Sequence, residues 1–552
     1  MSKSRYLPII YVRGFAATQG EMDQTTADPF NGFNLGSTVY RAVPDKKASP
    51  RKYVFESPVV RLMSGFGYKD VYEDGSDILD PEWERNALGE PTENRLRARS
   101  IIIHRYYDEC STLLGTGKKP DIAEFAGKLG QLIIRVRDLL ASNPESRIHP
   151  DEFGCYLVAH SMGGLVCRAF LQNAKHDPKG AARYVEKLFT FATPHNGIDV
   201  LGTNVPAWLQ MFDVDVFNRE NIARLVGIHD LWGKAEASQR ADLIDDRCPL
   251  KHDRVFCMVG TNRMDYEAFA GLSRNFVGQG SDGLVRIANA TLTHRAADGT
   301  LTECAKAFAY RSHSGYFGIV NSEEAFQNLA RFLFGDLRVD VFIDIDEIRL
   351  PAALQNHPRK SDIDALYQVE MNAAPRGKMW FLTRRTVEED SVACISHKEW
   401  TNQPNRRRLY LSSVFLANRA KVTKGTDSLA YAMSLGIRVP DYEIDRKFWI
   451  NEHYEGAYLF RNALVVEIFG GTTPGDNTQV TYSWQDSGVS GPKQVATLVP
   501  QADGSHAIMI PYDSTIASST SPEKPTTPGV KGHVVLKVRR WNADLVDDLE
   551  AG

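Results

Sequence analysis

From Phe153 the chain runs through apolar residues into a cluster of small ones and then straight into a second apolar stretch: Cys155-Tyr-Leu-Val-Ala159-His160-Ser161-Met162-Gly163-Gly164-Leu-Val. Phe153 to Ala159 reads as a buried strand, and Gly163 to Asn173, with few breakers, as a helix. A buried strand that turns at once into a helix belongs in a mostly parallel sheet covered on both faces. So sharp a turn tolerates only small residues around Ser161. Gly163 meets that demand, and Ala159 stands where the pattern G-x-S-x-G has its first glycine.

The rest of the first ~335 residues keeps this rhythm. Tyr6 to Val12, Ser100 to Tyr106, Val185 to Ala192 and Val255 to Gly260 read as strands. Ile122, Phe125, Ala126, Leu129, Leu132, Ile133, Val136, Leu139 and Leu140 form a wide helical stripe with Asp121 at its start, and Ser322 to Phe334 reads as a closing amphipathic helix. Two stretches break the alternation. Residues 16–95 show little period and read as a large insertion, and residues 198–250 mix Trp208, Met211, Phe212, Phe217 and Trp232 with charges. Loops of that length are functional, mobile or satellite core.

After Gly335 the texture changes. Arg338 to Asp346, Leu409 to Val414, Leu464 to Ile468, Val480 to Trp484 and His533 to Arg539 are short apolar or alternating runs between Gly-, Pro- and Asp-rich turns. Such punctuation reads as a β-rich, sandwich-like domain over 336–552 behind an α/β domain over 1–335. Asp340, Asp344 and Asp346 alternate along one predicted strand without the glycine turn of a calcium loop, and read as a solvated face. Ser514 to Gly532 reads as a flexible loop.

Length and charge exclude several classes. At 552 residues the chain exceeds one ordinary domain, and a net charge of −4 supplies no basic field for nucleic acid or an anionic membrane. No run reaches the ~18 apolar residues of a membrane span, and Leu7 to Val12, broken by Pro8 and stopped by Arg13, is too short for a signal peptide. The seven cysteines are odd in number, widely spread and often inside apolar segments, which fits reduced thiols and a cytoplasmic location, leaderless export aside. With no C-x-x-C and no H-E-x-x-H, no metal site is expected.

At the end of its strand Ser161 has two readings: an activated hydroxyl at a helix start, or a plain helix N-cap. An activated serine needs an acid and then a histidine further along. Asp282, in Gly278-Gln-Gly-Ser-Asp-Gly-Leu-Val285, sits among glycines that let the backbone bend inward, with Asp265 as its rival. His313, past a short apolar strand and before the last helix, is the candidate base, against His294, His195 and His160; His160 is expected to point away and pack around the turn. Gly14 ends the first strand in a turn that lets the N–H of Phe15 face the serine; with the N–H of Met162 it would make a two-donor oxyanion hole. The bland reading of that segment is a buried strand ending in glycine.

These residues resemble the α/β-hydrolase family, and within it the lipase-like branch of bacterial lipases and GPI-inositol-deacylase-like proteins. Ala159-His-Ser-Met-Gly-Gly164 is similar to that branch's G-H-S-M-G-G, Thr193-Pro-His-Asn-Gly197 to its T-P-H-x-G, Ser281-Asp-Gly-Leu-Val285 to its S-D-G-x-V, and Ser312-His313 to the segment carrying its base. The likeness spans roughly residues 6–335. It departs at Arg13-Gly14, where the family has H-G, and at Ala159; no resemblance covers 336–552. The resemblance implies an ester hydrolase using Ser161, His313 and Asp282 with no metal or organic cofactor, and a lid or acyl pocket in 198–250 and 16–95.

Three functions compete on this reading. The first is a carboxylic-ester hydrolase acting on lipid or other apolar esters. The second keeps the three residues in a thioesterase, acyltransferase or amidase. The third is a non-catalytic relative that binds a partner through its β-rich domain. Expected partners are a small-molecule or lipid ester and a peripheral lipid or protein contact at the C-terminal domain.

Overall fold

The computed structural model describes the chain except residues 1–2, 15–18, 28–32, 34–36, 42–50, 74–75, 78–95, 113–114, 118–120, 144–145, 147, 199–216, 234–238, 265–279, 316–317, 357–361, 421–427, 445–451, 470–478, 487–488, 491, 516–527, 544 and 547–552. Contacts divide it into two units. One comprises Met1–Lys306, Tyr310–Phe334 and Asp544–Gly552; the other comprises Ala307–Ala309 and Gly335–Ala543.

Among the described residues the central sheet has seven strands: β1 (Ile9–Val12), β2 (Lys69–Asp70), β3 (Ser100–Ile103), β4 (Cys155–His160), β5 (Val185–Phe191), β6 (Val255–Gly260) and β7 (Ala305–Ala309). Their order is β7-β6-β5-β4-β1-β3-β2. Every neighbouring pair from β6 to β2 is parallel. The helices that matter for the site are α1 (Pro58–Phe66), α2 (Ile122–Ser142), α3 (Met162–Gln172) and α4 (Glu323–Phe334).

The two-residue period of the strands sorts their side chains between two helix layers. Ile10, Val12, Cys155, Leu157 and Ala159 share a core with Leu129 and Ile133 of α2 and Leu165 and Val166 of α3. The alternate residues Tyr156, Phe189 and Phe256 meet Phe332 and Phe334 of α4, with Phe189 stacked on Phe256 at 4.9 Å. Asp121 caps α2 as its sequence position suggests, accepting the N–H of Ala123 at 2.8 Å. Lys187, buried on β5, donates to the carbonyls of Phe332 and Leu333 at the end of α4. Its amine N–H groups satisfy acceptors that a helix C-terminus otherwise leaves open. This parallel sheet with helices on both faces is the α/β-hydrolase fold.

The reading of 16–95 as an insertion needs correction. Its Lys69–Asp70 pairs with β3 as the edge strand of the central sheet, and α1 precedes it, its start capped by the Ser57 hydroxyl. A two-residue polar edge strand carries no hydrophobic period, so the sequence concealed it. In 198–250, Phe217, Ile222, Leu231 and Trp232 pack on the main core and read as satellite core, whereas Trp208, Met211 and Phe212 lie outside the described residues. The chain's end returns to the first unit, where Leu545–Val546 lies parallel to Lys3–Ser4.

The second unit is antiparallel. One sheet runs Arg408–Leu416, Leu337–Arg349, Gly529–Arg540, His506–Asp513 and Val499–Pro500 in that order; the main path of the other includes Ile363–Pro375, Ser428–Arg438, Tyr458–Phe469 and Gln479–Asp486. Val341, Ile343, Val534 and Leu536 of the first share one core with Tyr367, Val369, Leu435 and Leu464 of the second, as in a sandwich. Residues 529–532 belong to a strand rather than to the loop expected there. The aspartates of Leu337–Arg349 are paired rather than merely solvated: Asp340 with Arg338, Asp344 with Arg408 and Asp346 with His533.

Candidate active site

The register of the sheet decides where the chemistry gathers. Val12 is level with Ala159, His160 with Phe191, and Phe191 with Met258, so β1, β4, β5 and β6 end along one rim. At such a rim the following loops converge.

β4 passes into α3 through Ser161, which holds φ 52° and ψ −127°. A positive φ is unusual for a residue with a Cβ, and stored strain of this kind gathers at functional sites. The backbone locks it in place: the Ser161 N–H donates to the Phe191 carbonyl at 2.9 Å, and the Gly164 N–H donates to the Ser161 carbonyl at 3.0 Å. Close approach does the rest. A Cβ on Gly14 would lie 2.8 Å from His160 Nδ1 and 2.9 Å from Ser161 Cβ, so β1 can run against the turn only with glycine there.

Ser161 occupies the N-cap position of α3, yet its side chain makes no capping hydrogen bond. Its Oγ instead lies 2.9 Å from His313 Nε2, and His313 Nδ1 lies 2.9 Å from Asp282 Oδ2. The plain N-cap reading therefore fails. The carboxylate accepts from Nδ1–H, which leaves the Nε2 lone pair facing the hydroxyl proton. Asp282 is itself held: Oδ1 accepts the N–H groups of Leu284 at 3.0 Å and Val285 at 2.8 Å, and its carbonyl accepts the His313 N–H at 3.0 Å. Gly280 and Gly283 carry positive φ on either side, the bend their sequence positions suggested. Ser161, Asp282 and His313 are 7%, 1% and 3% exposed, so the relay is shielded from bulk water, which strengthens its electrostatics.

Met162 opens α3. Among the described residues no acceptor takes its N–H, which is one of the free donors of a helix start. Phe15, the other expected donor, lies outside the described residues. The strand end before it is anchored, since the Tyr106 hydroxyl donates to the carbonyls of Arg13 and Gly14. Arg13 sets a cation at this strand end, its guanidinium carbon 5.9 Å from the Tyr107 ring centroid and its Nη1 buried with no hydrogen-bond partner among the described residues.

The rival residues are engaged elsewhere. His294 Nε2 meets Asp246 at 2.9 Å, and its ring stacks on His252. His195 is wholly buried against Thr190; desolvation first, and the Arg168 cation second, hold its pKa well below the ordinary value. Asp265 lies outside the described residues. His160, expected to point away and pack around the turn, packs beside Gly14 and donates its Nε2–H to the His313 carbonyl at 2.9 Å.

No family model matches the chain, and no curated protein matches it by sequence. Solved structures do. Lipase BlEst2 of Bacillus licheniformis, in mature form, is similar at 16% identity and a TM-score of 0.27, over 60% of this chain and 94% of that one. Phospholipase PlaB of Legionella pneumophila is similar at 13% identity and a TM-score of 0.27, over 82% of this chain and 91% of that one. Among the described residues no cluster of His, Cys, Asp and Glu could hold a metal ion, and no helix is long and apolar enough to cross a membrane.

Sequence reasoning missed three supporting residues. His160 and Tyr106 act on backbone carbonyls, which no motif displays. Arg168 did leave a signal, a lone cation inside the otherwise apolar Leu165 to Leu171. It is buried in α3 and donates to the carbonyls of His195, Ala241 and Leu243 at 2.8–2.9 Å, tying the loop after β5 to the helix behind the nucleophile turn.

Proposed function

We propose that the protein is a serine hydrolase of carboxylic esters, acting on lipid or other apolar acyl esters. The observation that supports this reading most is the unbroken line from Ser161 Oγ through the His313 ring to the Asp282 carboxylate, with both hydrogen bonds at 2.9 Å. His313 takes the Ser161 proton through Nε2 as Oγ attacks the ester carbonyl. The tetrahedral oxyanion lies at the start of α3, where the Met162 N–H donates to it and the Phe15 N–H serves as the second donor. One such donor is worth ~10²–10³ in rate. His313 then gives its proton to the leaving alkoxide, and a water, deprotonated by the same ring, releases the acid from the Ser161 ester. Asp282 keeps the ring in the Nδ1–H tautomer throughout.

Two features support an apolar substrate. The ordered motifs resemble the lipase-like branch, and large apolar side chains stand exposed just past the ends of neighbouring strands: Met264 after β6 at 50% and Tyr310 after β7 at 39%. The decisive experiment pairs a fluorophosphonate probe with a chain-length series of chromogenic esters. The wild type is expected to label and to hydrolyse esters, preferring longer chains. Ser161→Ala is expected to lose labelling and ~10⁶ in turnover. Labelling that survives this substitution moves the nucleophile elsewhere, and a wild type that neither labels nor turns over ends the enzymatic reading.

A further inference from the structure

Among the described residues, Asp282 and His160 hold polar groups of His313 that do not face Ser161. Asp282 holds the ring through Nδ1 and the backbone through the His313 N–H. The remaining backbone group, the His313 carbonyl, accepts the Nε2–H of His160 at 2.9 Å. His160 is the last residue of β4 and the immediate neighbour of Ser161. The hydrogen bond therefore joins the strand that carries the hydroxyl directly to the loop that carries the ring.

We propose that His160 is a positioning residue, which sets the distance between Ser161 and His313 by clamping the His313 main chain to the end of β4. This rests on the ester-hydrolase reading and adds to it a fourth side chain that touches neither substrate nor reacting atoms. The Asp282 tethers govern the tilt of the His313 ring but lie on its far side from the hydroxyl. The His160 bond fastens the proposed base to the strand that carries Ser161. The two rings lie 5.0 Å apart, tilted by 43°, near enough for the link to be stiff.

The clamp needs a proton on Nε2, because a carbonyl oxygen accepts and cannot donate; the neutral Nε2–H tautomer and the imidazolium both supply it. Burial chiefly, then the neighbouring His313 and Arg13 charges, push its pKa down to about 3, against the pull of the carbonyl hydrogen bond. Among the described residues, His313 and Arg13 are the charged or titratable groups that act on the ring. Near neutral pH the ring is therefore uncharged, and its Nε2–H tautomer carries the clamp. Gly14 fits the same picture, since any side chain there would press on His160 Nδ1.

The test compares His160→Phe, which keeps a ring and removes the donor, with His160→Gln, whose amide N–H can reach the same carbonyl. Steady-state hydrolysis of p-nitrophenyl butyrate, fluorophosphonate labelling rate and thermal midpoint are measured for both and for the wild type. Misplacement by about 1 Å costs up to ~10² in rate. His160→Phe is therefore expected to lower kcat and labelling by ~10–100-fold with KM within about twofold, and His160→Gln to recover most of that loss. If His160→Phe does not fold, His160→Gln against His160→Met carries the same comparison. A folded donor-less variant with wild-type kcat overturns the inference and leaves the esterase standing; so does a Gln variant no better than the donor-less one. A wild type without labelling or turnover removes the esterase reading and this inference with it.

Discussion

The Cβ that Gly163 lacks would lie 2.2 Å from the carbonyl oxygen of Val12, so the helix behind Ser161 touches the backbone of the neighbouring strand. Neither partner can yield, because β1 is bonded on both sides, to β4 and to β3. Gly163→Ala is expected to lower the unfolding free energy by at least ~1–3 kcal/mol, the usual cost of overpacking, and to misplace Ser161. Urea unfolding together with fluorophosphonate labelling checks both. A variant of wild-type stability shows that the two backbones do not touch.

Asp282→Asn separates orientation from folding. The Asn Oδ1 still accepts from Leu284 and Val285, so the loop stays built, while the amide can no longer accept the Nδ1–H of His313. Turnover is expected to fall by ~10⁴, as when the acid of such a relay becomes an amide, with the melting temperature nearly unchanged. A loss below tenfold removes Asp282 from the relay.

Acid destabilises this fold through buried neutral imidazoles. Desolvation holds His104 at about 4, below the ordinary 6.5, and His160 at about 3. The unfolded chain protonates both rings as pH drops through 6.5 while the folded chain refuses the protons, so stability is full above that pH and declines toward 4. Each ring contributes about 1.4 kcal/mol per pH unit within that window. His104→Gln can keep a donor to the Phe125 carbonyl, which His104 meets at 3.1 Å, and is expected to remove one ring's share of the slope. Urea titrations at several pH values from 7 to 4.5 measure it; an unchanged slope contradicts the assignment.

Arg168→Leu strands the buried carbonyls of His195 and Ala241, while that of Leu243 keeps the Gln172 amide at 3.0 Å. At ~1–3 kcal/mol for each acceptor left unpaired, the expected loss is at least about 2 kcal/mol. Thermal melts of the variant check this, and a shift of only a degree or two sinks it.

The cysteines offer an independent test of packing. All seven are free thiols; Cys394 alone is exposed, and burial raises the pKa of Cys167, Cys248 and Cys257. A thiol reagent should titrate about one group in the native protein and all seven after denaturation. Rapid reaction of more than one native thiol contradicts the buried placements.

What the sequence disclosed follows from where information sits in a chain. Val255–Gly260, buried on both faces, was legible to the residue, and the apolar stripe from Ile122 to Leu140 marked its helix. Ile363–Pro375 and Ser428–Arg438 escaped notice although one face of each is buried, because alanines, a methionine and outward polar residues dilute their alternation. Lys69–Asp70 offers nothing to read, since an edge strand of two polar residues is defined by its neighbour alone. Ser161, Asp282 and His313 stood out because the proposed chemistry needs those side chains in that order, and the structure brings them within hydrogen-bond distance. The bond from His160 was not, because its acceptor is a main-chain oxygen on a segment that only the folded chain brings near.

The distance along the chain between the hydroxyl and its base, 152 positions, has a bearing on biosynthesis. A ribosome that has released β1 through β5 has already made Ser161 and the donors beside it, but neither Asp282 nor His313 has yet emerged. On the proposed function, the nascent protein stays harmless to surrounding esters until the last strands join the sheet. Onset of turnover during translation would then date the completion of the domain.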